Sequence, residues 1–329
     1  MAELHPDARL TPHVRLGKVT AVLNAASGSV GADAAARMKA IAARYGLDIE
    51  PRAVQPAGIA DAVRAAVAER PDALFVLAGD GTLALSAELC GPDGPLLAAL
   101  PGGTMNMLPH ALNGRRAWPE ALTAILETGR ELEVSGGEVG GHGFYVAAIL
   151  GAPALWADAR EAVRKGKLKL AVLRARRALL RAFKGRLRFE LNGGERRKAE
   201  ALTLMCPLVS QGLDEDVGLE AATLDPKGAL DGFRLGFSTL TGGWRNDPSV
   251  KIEICTSGTA WAHGRVPVIL DGEPRRMDPP VKLAYRRRAF RALVPGDCEA
   301  LRARSEVGEH AARKAARGAA AVGVERPAA

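Results

Sequence analysis

Cysteine is scarce and scattered: Cys90, Cys206, Cys255 and Cys298 form neither a Cys-x-x-Cys pair nor a Cys/His cluster. Zinc sites of the usual spacing and a disulfide framework are therefore excluded, and a reducing, cytoplasmic setting fits best. Aromatic residues make up only 4% of the 329-residue chain, and no recognisable motif interleaves them with its basic runs. Without such stacking platforms, a nucleic-acid partner is not expected. Long apolar runs are missing as well. The longest, residues 144–157, is interrupted by Gly151 and Pro153 and is too short to cross a hydrocarbon core of about 30 Å. Residues 1–15 lack the continuous apolar stretch of a signal peptide and read as a loose leader.

What is present is an ordinary globular composition, 47% hydrophobic and 25% charged, in a chain long enough for two domains. The net charge of +8 and the pI of 9.6 favour an anionic partner, and nucleotide, nucleic acid and acidic lipid all qualify on charge alone. The first third alternates β-rich runs (19–23, 48–54, 73–77, 96–100) with helical stretches (32–45, 59–69, 83–90), the pattern of a parallel sheet with helices on both faces. The runs 73–77 and 96–100 are apolar throughout, as strands covered on both sides should be. Beyond residue 132 come closely spaced extended runs, among them 186–191, 199–206, 250–255, 266–270, 281–285 and 289–294, with an Asn192-Gly193-Gly194 turn between the first two. They predict a β-rich, sandwich-like second domain. The expected organisation is an α/β nucleotide-binding domain at 14–133, rejoined by the chain at about 295–305, and a β-rich acceptor domain at 134–294. Residues 306–329 form a tail too poor in large apolar side chains to bury much surface.

Three Gly-rich turns follow β-rich runs: Asn24-Ala25-Ala26-Ser27-Gly28, Gly79-Asp80-Gly81-Thr82, and Pro101-Gly102-Gly103-Thr104-Met105-Asn106. In an open parallel sheet, ligands bind beyond the carboxyl ends of the strands. Backbone N–H groups at a helix start suit a phosphate, and glycine lets the backbone come close to it. The second turn predicts a helix beginning near Leu83. In the third, Thr104 is placed to serve as an N-cap or to donate its hydroxyl to a phosphate oxygen. Each turn alone is equally compatible with a plain structural turn. Three at consecutive strand ends form one rim.

Asn-x-x-Ser-Gly, Gly-Asp-Gly-Thr and Pro-x-Gly-Thr-x-Asn, in that order, resemble the catalytic region of the diacylglycerol kinase and sphingosine kinase family, the bacterial lipid kinases above all. Asp271-Gly272-Glu273 stands as a fourth element placed as in that family. The resemblance spans roughly residues 14–295. It implies ATP and Mg²⁺ as cofactors and a lipid hydroxyl, of diacylglycerol or a related lipid, as acceptor. Asn24, Ser27, Gly28, Gly79, Gly81, Thr82, Gly103, Thr104 and Asn106 would line the nucleotide site. Asp271 would be the general base, with Glu273 orienting it or the metal, and Asp80 would act on Mg²⁺ or exchange roles with Asp271. By itself Asp271-Gly272-Glu273 also reads as a solvated hairpin.

Departures from the family pattern are Ala25, Ala78, the absence of Lys or Arg at 29–31, and Leu230-Asp231-Gly232, where Asp231 alone remains of the two adjacent carboxylates that in the bacterial lipid kinases help bind a structural Mg²⁺. Asp214, Glu215 and Asp216 form another acidic cluster that could offer oxygen ligands to Mg²⁺ but reads first as a solvated loop. Residues 160–185 read as a basic amphipathic helix, with Leu168, Val172, Ala175, Leu179 and Phe183 at helical spacing and Arg174, Arg177 and Arg181 off the stripe. Such a helix either docks on an anionic membrane, giving peripheral association, or packs on its own domain. The alternatives to a lipid kinase are an NAD kinase-like enzyme and a non-catalytic lipid- or nucleotide-binding module.

Overall fold

In a computed structural model, residues 16–28, 30–151, 187–210, 217–225 and 247–301 are described. The basic stretch 160–185, Asp231, the acidic cluster 214–216 and the tail 306–329 lie outside them.

The first half is the expected α/β arrangement. Strands β1 (Val19–Asn24), β2 (Arg52–Val54), β3 (Ala73–Ala78) and β4 (Leu96–Pro101) run parallel in the order β2-β1-β3-β4. β3 and β4 are buried along their whole length. Period-2 alternation distributes their side chains between two cores. Phe75, Leu77, Ala98 and Leu100 meet α1 (Ala34–Arg44) and α5 (Trp118–Thr128). Leu74, Val76, Leu97 and Ala99 meet α2 (Ile59–Ala68), α3 (Asp80–Cys90) and α4 (Met107–Asn113). β2 is shorter than the run 48–54. It begins directly after Pro51, which has no N–H for the ladder.

The helix starts also differ from expectation. α3 begins at Asp80, so Asp80, Gly81 and Thr82 are its first turn, with Gly79 as an extended N-cap. An acidic first residue suits the positive end of the helix dipole. α4 begins at Met107, not at Thr104, and its N-cap is Asn106 in a left-handed conformation, φ 52°.

The remaining described strands pair antiparallel, except where β16 (Val281–Val294) runs parallel to β4 and joins the two parts of the sheet. β5 (Arg130–Val139), β6 (His142–Phe144), β8 (Leu187–Leu191), β9 (Arg197–Ala199), β13 (Ser257–Trp261) and β16 extend the first sheet to ten strands. A second sheet of six has the order β12-β11-β10-β7-β14-β15, from β7 (Ala147–Gly151), β10 (Ala201–Met205), β11 (Leu219–Leu224), β12 (Val250–Cys255), β14 (Val266–Leu270) and β15 (Glu273–Met277). Between the two sheets lies a core that includes Phe144, Leu150, Phe189, Leu204, Val268 and Leu283. The β-rich sandwich is therefore present.

The runs 281–285 and 289–294 are one strand. β16 continues through Arg286-Arg287-Arg288, and only its pairing with β5 shifts register between Arg286 and Phe290. The arginines are accommodated by ion pairs, Arg286 with Glu88 and Glu138 and Arg288 with Glu133. β16 thereby links the two halves. Its Val281 and Leu283 belong to the sandwich core, while Phe290 and Ala292 belong to a core of the α/β half. All four cysteines are buried and none forms a disulfide. Among the described residues no helix is long and apolar enough to cross a membrane.

Candidate active site

The three Gly-rich turns meet at the carboxyl edge of the parallel strands. The turn after β1 is drawn tight by Asn24, whose Oδ1 accepts the Ala26 N–H at 3.2 Å and whose carbonyl accepts that of Ser27 at 3.1 Å. It continues to Val30, whose side chain touches the turn after β4. A Cβ on Gly102 would lie 3.0 Å from Val30 Cγ2 and 2.8 Å from the backbone nitrogen of Ala78. The turns after β3 and β4 are closer still, since a Cβ on Gly103 would stand 2.7 Å from Gly79 Cα. Real Cβ atoms do not approach backbone that closely, so glycine is obligatory if the two turns are to stay in contact.

Asn106 supports this contact from within. Its Oδ1 accepts the Gly103 N–H at 2.7 Å and its Nδ2 donates to the Gly103 carbonyl at 2.9 Å. Asn106 is buried, so its amide shapes the turn and does not face the rim. Thr104 and Gly81 are exposed on the rim, with Ser27, Gly79 and Thr82 half-buried beside them and Gly28 open to solvent.

Asp80 caps a helix other than its own. Its Oδ1 accepts the Leu108 N–H at 3.3 Å, and α4 has no capping bond from its own N-cap side chain. Burial pushes the Asp80 carboxyl above the ordinary aspartate value, against the opposing pull of the Leu108, Met107 and Asn106 N–H groups.

Asp271 and Gly272 are the two-residue turn of the β14–β15 hairpin, which pairs Leu270 with Glu273. Both have positive φ, 45° and 90°, which is the backbone an Asp-Gly hairpin turn supplies. The hairpin reading of the sequence is thus correct, but Asp271 is not solvated: only 7% of its surface is exposed. Its Oδ2 accepts the Tyr145 N–H at 2.7 Å, and its Oδ1 accepts those of Val146 and Ala147, each at 2.9 Å. An ionised carboxylate has about four acceptor sites, so one lone pair, on Oδ2, is left. Burial, reinforced by the nearby charge of Asp80, raises the carboxyl to about 6 in spite of the three donors. A carboxylate with that value is ionised at neutral pH and still basic enough to take a proton.

Asp80 and Asp271 share a cleft of about 180 Å³ with Gly81, Glu273, Arg275 and Glu88. Glu273 approaches the second turn closely, its Oε1 being 3.7 Å from where a Gly81 Cβ would stand. Met105 and Met107 lie beside the hairpin turn, with their sulfurs 3.8 and 3.9 Å from a Cβ built on Gly272. The turns after β3 and β4 and the Asp271 hairpin therefore form one constellation. The turn at Asn24 adjoins it through Val30. No group of three or more His, Cys, Asp or Glu poised to hold a metal occurs among the described residues.

Two features of the cleft escaped sequence reading. Arg275 follows Glu273 by two residues on β15, and that spacing places both on one face of a strand. Glu88 lies two helical steps of four beyond Asp80, a spacing that puts both on one side of α3. Its carboxylate accepts the Tyr145 hydroxyl at 2.8 Å and pairs with Arg286 at 3.0 Å. Burial and the Glu88 charge raise the Tyr145 phenol well above its usual value, which keeps it a donor.

The sequence of the α/β part carries a family match. Residues 18–139 match the family model of the diacylglycerol kinase catalytic domain. Over this stretch the chain is diacylglycerol kinase-like. The fold agrees: a Bacillus anthracis strain Sterne protein provisionally described as a diacylglycerol kinase superimposes with a TM-score of 0.65 at 18% identity, covering 85% of this chain and 98% of its own. A second structure, of a diacylglycerol kinase from the same strain, gives 0.61 at 14% identity, covering 85% and 97%. At such identities the likeness is one of fold. No curated protein sequence matches the chain. The diacylglycerol kinase-like region ends at the tip of β5, so Asp271, Glu273 and Arg275 come from outside the matched stretch.

Proposed function

We propose that the protein is an ATP-dependent lipid kinase that transfers the γ-phosphate of ATP to the hydroxyl of diacylglycerol or a related lipid. The observation that carries this reading is Asp271, a buried carboxylate of raised pKa with one unused lone pair, in the same cleft as the Gly-rich turn at Asp80. Phosphoryl transfer asks a protein chiefly for positioning and charge stabilisation. Asn24, Ser27, Gly28, Gly79, Gly81, Thr82, Gly103 and Thr104 would supply backbone and hydroxyl donors to the phosphates, with Asn106 holding the turn in shape. Asp271 would take the proton of the lipid hydroxyl through Oδ2.

Magnesium is commonly held by one or two carboxylates together with substrate phosphates. Glu273, exposed beside Gly81, and the half-buried Asp80 fit that pattern, and Asp231 remains a ligand by resemblance alone. The ion would neutralise charge on the transferring group. In this reading the α/β part, residues 14–133, binds nucleotide, and the β-rich part, residues 134–294, presents the acceptor. The basic pattern at 160–185 supports peripheral attachment to an anionic membrane surface from the cytoplasm.

The test is transfer of labelled γ-phosphate from ATP to diacylglycerol, a sphingoid base or NAD, with the lipids presented in anionic vesicles. Label in a lipid product supports the reading. Label in NAD alone assigns the enzyme to the NAD kinase class. ATP binding without label in any acceptor leaves a nucleotide-binding module.

A further inference from the structure

A bound triphosphate carries several negative charges, yet the three Gly-rich turns hold no lysine or arginine: residues 24–31, 79–82 and 101–107 contain none. Backbone N–H groups contribute partial charges only, and phosphoryl-transfer sites ordinarily add a full cation at the group being moved. The missing cation must come from elsewhere in the fold.

Arg286 is the first candidate near the cleft, but its guanidinium is committed. It pairs with Glu88 at 3.0 Å and Glu138 at 2.6 Å, bracing α3 against β5. Arg275 is different. It lines the cleft with Asp80, Asp271 and Glu273, is exposed, and has no ion pair among the described residues. Strand alternation explains its direction. On β15, Glu273, Arg275 and Met277 share a face, and Met277 is buried in the sandwich core. The face that packs apolar side chains between the sheets therefore continues, past the end of that core, as Arg275 and Glu273 beside the second Gly-rich turn.

We propose that Arg275 is the cation that binds the γ-phosphate of ATP in this cleft, a role resting on the nucleotide reading above. Its planar fork suits bidentate contact with phosphate oxygens. Because its partner is the terminal phosphate, its contribution is present with ATP and absent with ADP.

Titration calorimetry of both nucleotides with Mg²⁺ tests this, using the wild type, Arg275→Gln, Arg275→Lys and Arg265→Gln. Arg265 pairs with Asp278 beyond the open end of the same hairpin, so its substitution controls for loss of one positive charge. Arg275→Gln should weaken ATP by about tenfold to a hundredfold, the range for hydrogen bonds to charged groups, with ADP unchanged. Lysine should restore part of the loss, and Arg265→Gln should alter neither nucleotide. An unchanged ratio of ATP to ADP affinity in Arg275→Gln, or an equal loss of both, overturns the assignment to Arg275. Failure of the wild type to bind either nucleotide overturns the nucleotide reading itself.

Discussion

Replacing Asp271 by asparagine should expose two consequences of burying one carboxylate, one in stability and one in rate. In the folded chain the Asp271 carboxyl is raised to about 6, whereas an unfolded aspartate titrates near about 3.9. The native state therefore binds the proton more tightly than the unfolded state between those two values. The sign follows: Asp271 stabilises most below the unfolded pKa, and its contribution is lost as pH rises through about 6. A shift of about two units corresponds to roughly 3 kcal/mol. Asparagine cannot titrate, but its single oxygen also cannot serve all three N–H groups of Tyr145, Val146 and Ala147. Leaving one buried donor unmatched costs about 1–3 kcal/mol. The variant should be less stable than the wild type at pH 4, and the gap should close by about 2 kcal/mol towards pH 7.5, less than the full shift because an unfolded aspartate is already about half ionised at pH 4. Urea unfolding of both proteins across that range measures it, and taking the difference removes titrating groups that do not interact with Asp271. In parallel, wild-type turnover should rise about tenfold from pH 5 to pH 7, with unit slope on the acid limb, and the variant should show no turnover. A stability difference independent of pH, or a flat wild-type rate over that interval, would refute the reasoning.

Gly103→Val should lower ATP affinity and melting temperature together, because the Cβ alone would stand 2.7 Å from Gly79 Cα and overpacking costs about 1–3 kcal/mol. Gly28→Ala, with nothing within 4 Å of its added Cβ, should leave the melting temperature near the wild-type value. Asn106→Gly keeps access to the left-handed backbone but removes both bonds to Gly103, so calorimetry should show weaker ATP binding, and unfolding a loss of about 1–2 kcal/mol. Unaltered ATP affinity in that variant would mean the turn holds its shape without the brace.

Much of the α/β half was legible because its signals are local. Apolar strands followed at once by glycine locate the turns, and the order of motifs locates the resemblance now matched over residues 18–139. The helix starts were misjudged for a physical reason. Asp80, Gly81 and Thr82 are weak helix formers read in isolation, yet as the first turn they need little helical bonding of their own, only the Thr82 N–H reaching back to the Gly79 carbonyl at 3.1 Å, and they place an acid at the positive end of the dipole. Thr104 looked like a cap because hydroxyl residues favour that position. The cap of α4 comes instead from Asp80, more than twenty residues earlier. β16 reads as two runs because the charged Arg286-Arg287-Arg288 interrupts the apolar pattern, and partners on α3 and β5 for Arg286 and Arg288 make the continuous strand tolerable. No local pattern announces such partners.

The same distance in sequence explains why Asp271 was readable as a residue and not as a device. Its three N–H donors are 124 to 126 positions away, at the entry to β7, the strand that β14 pairs with in the second sheet. The carboxylate therefore fixes where that sheet begins, and Tyr145, whose backbone it holds, turns its hydroxyl to Glu88 on α3. From Glu88 the chain of contacts passes through Arg286 to Glu138 on β5. One connected set of hydrogen bonds thus runs from the Asp271 hairpin through α3 to both strands that join the halves of the first sheet. A site assembled this way has its carboxylates positioned by the scaffold and not by each other, so Asp80 and Asp271 stay close even though their charges repel.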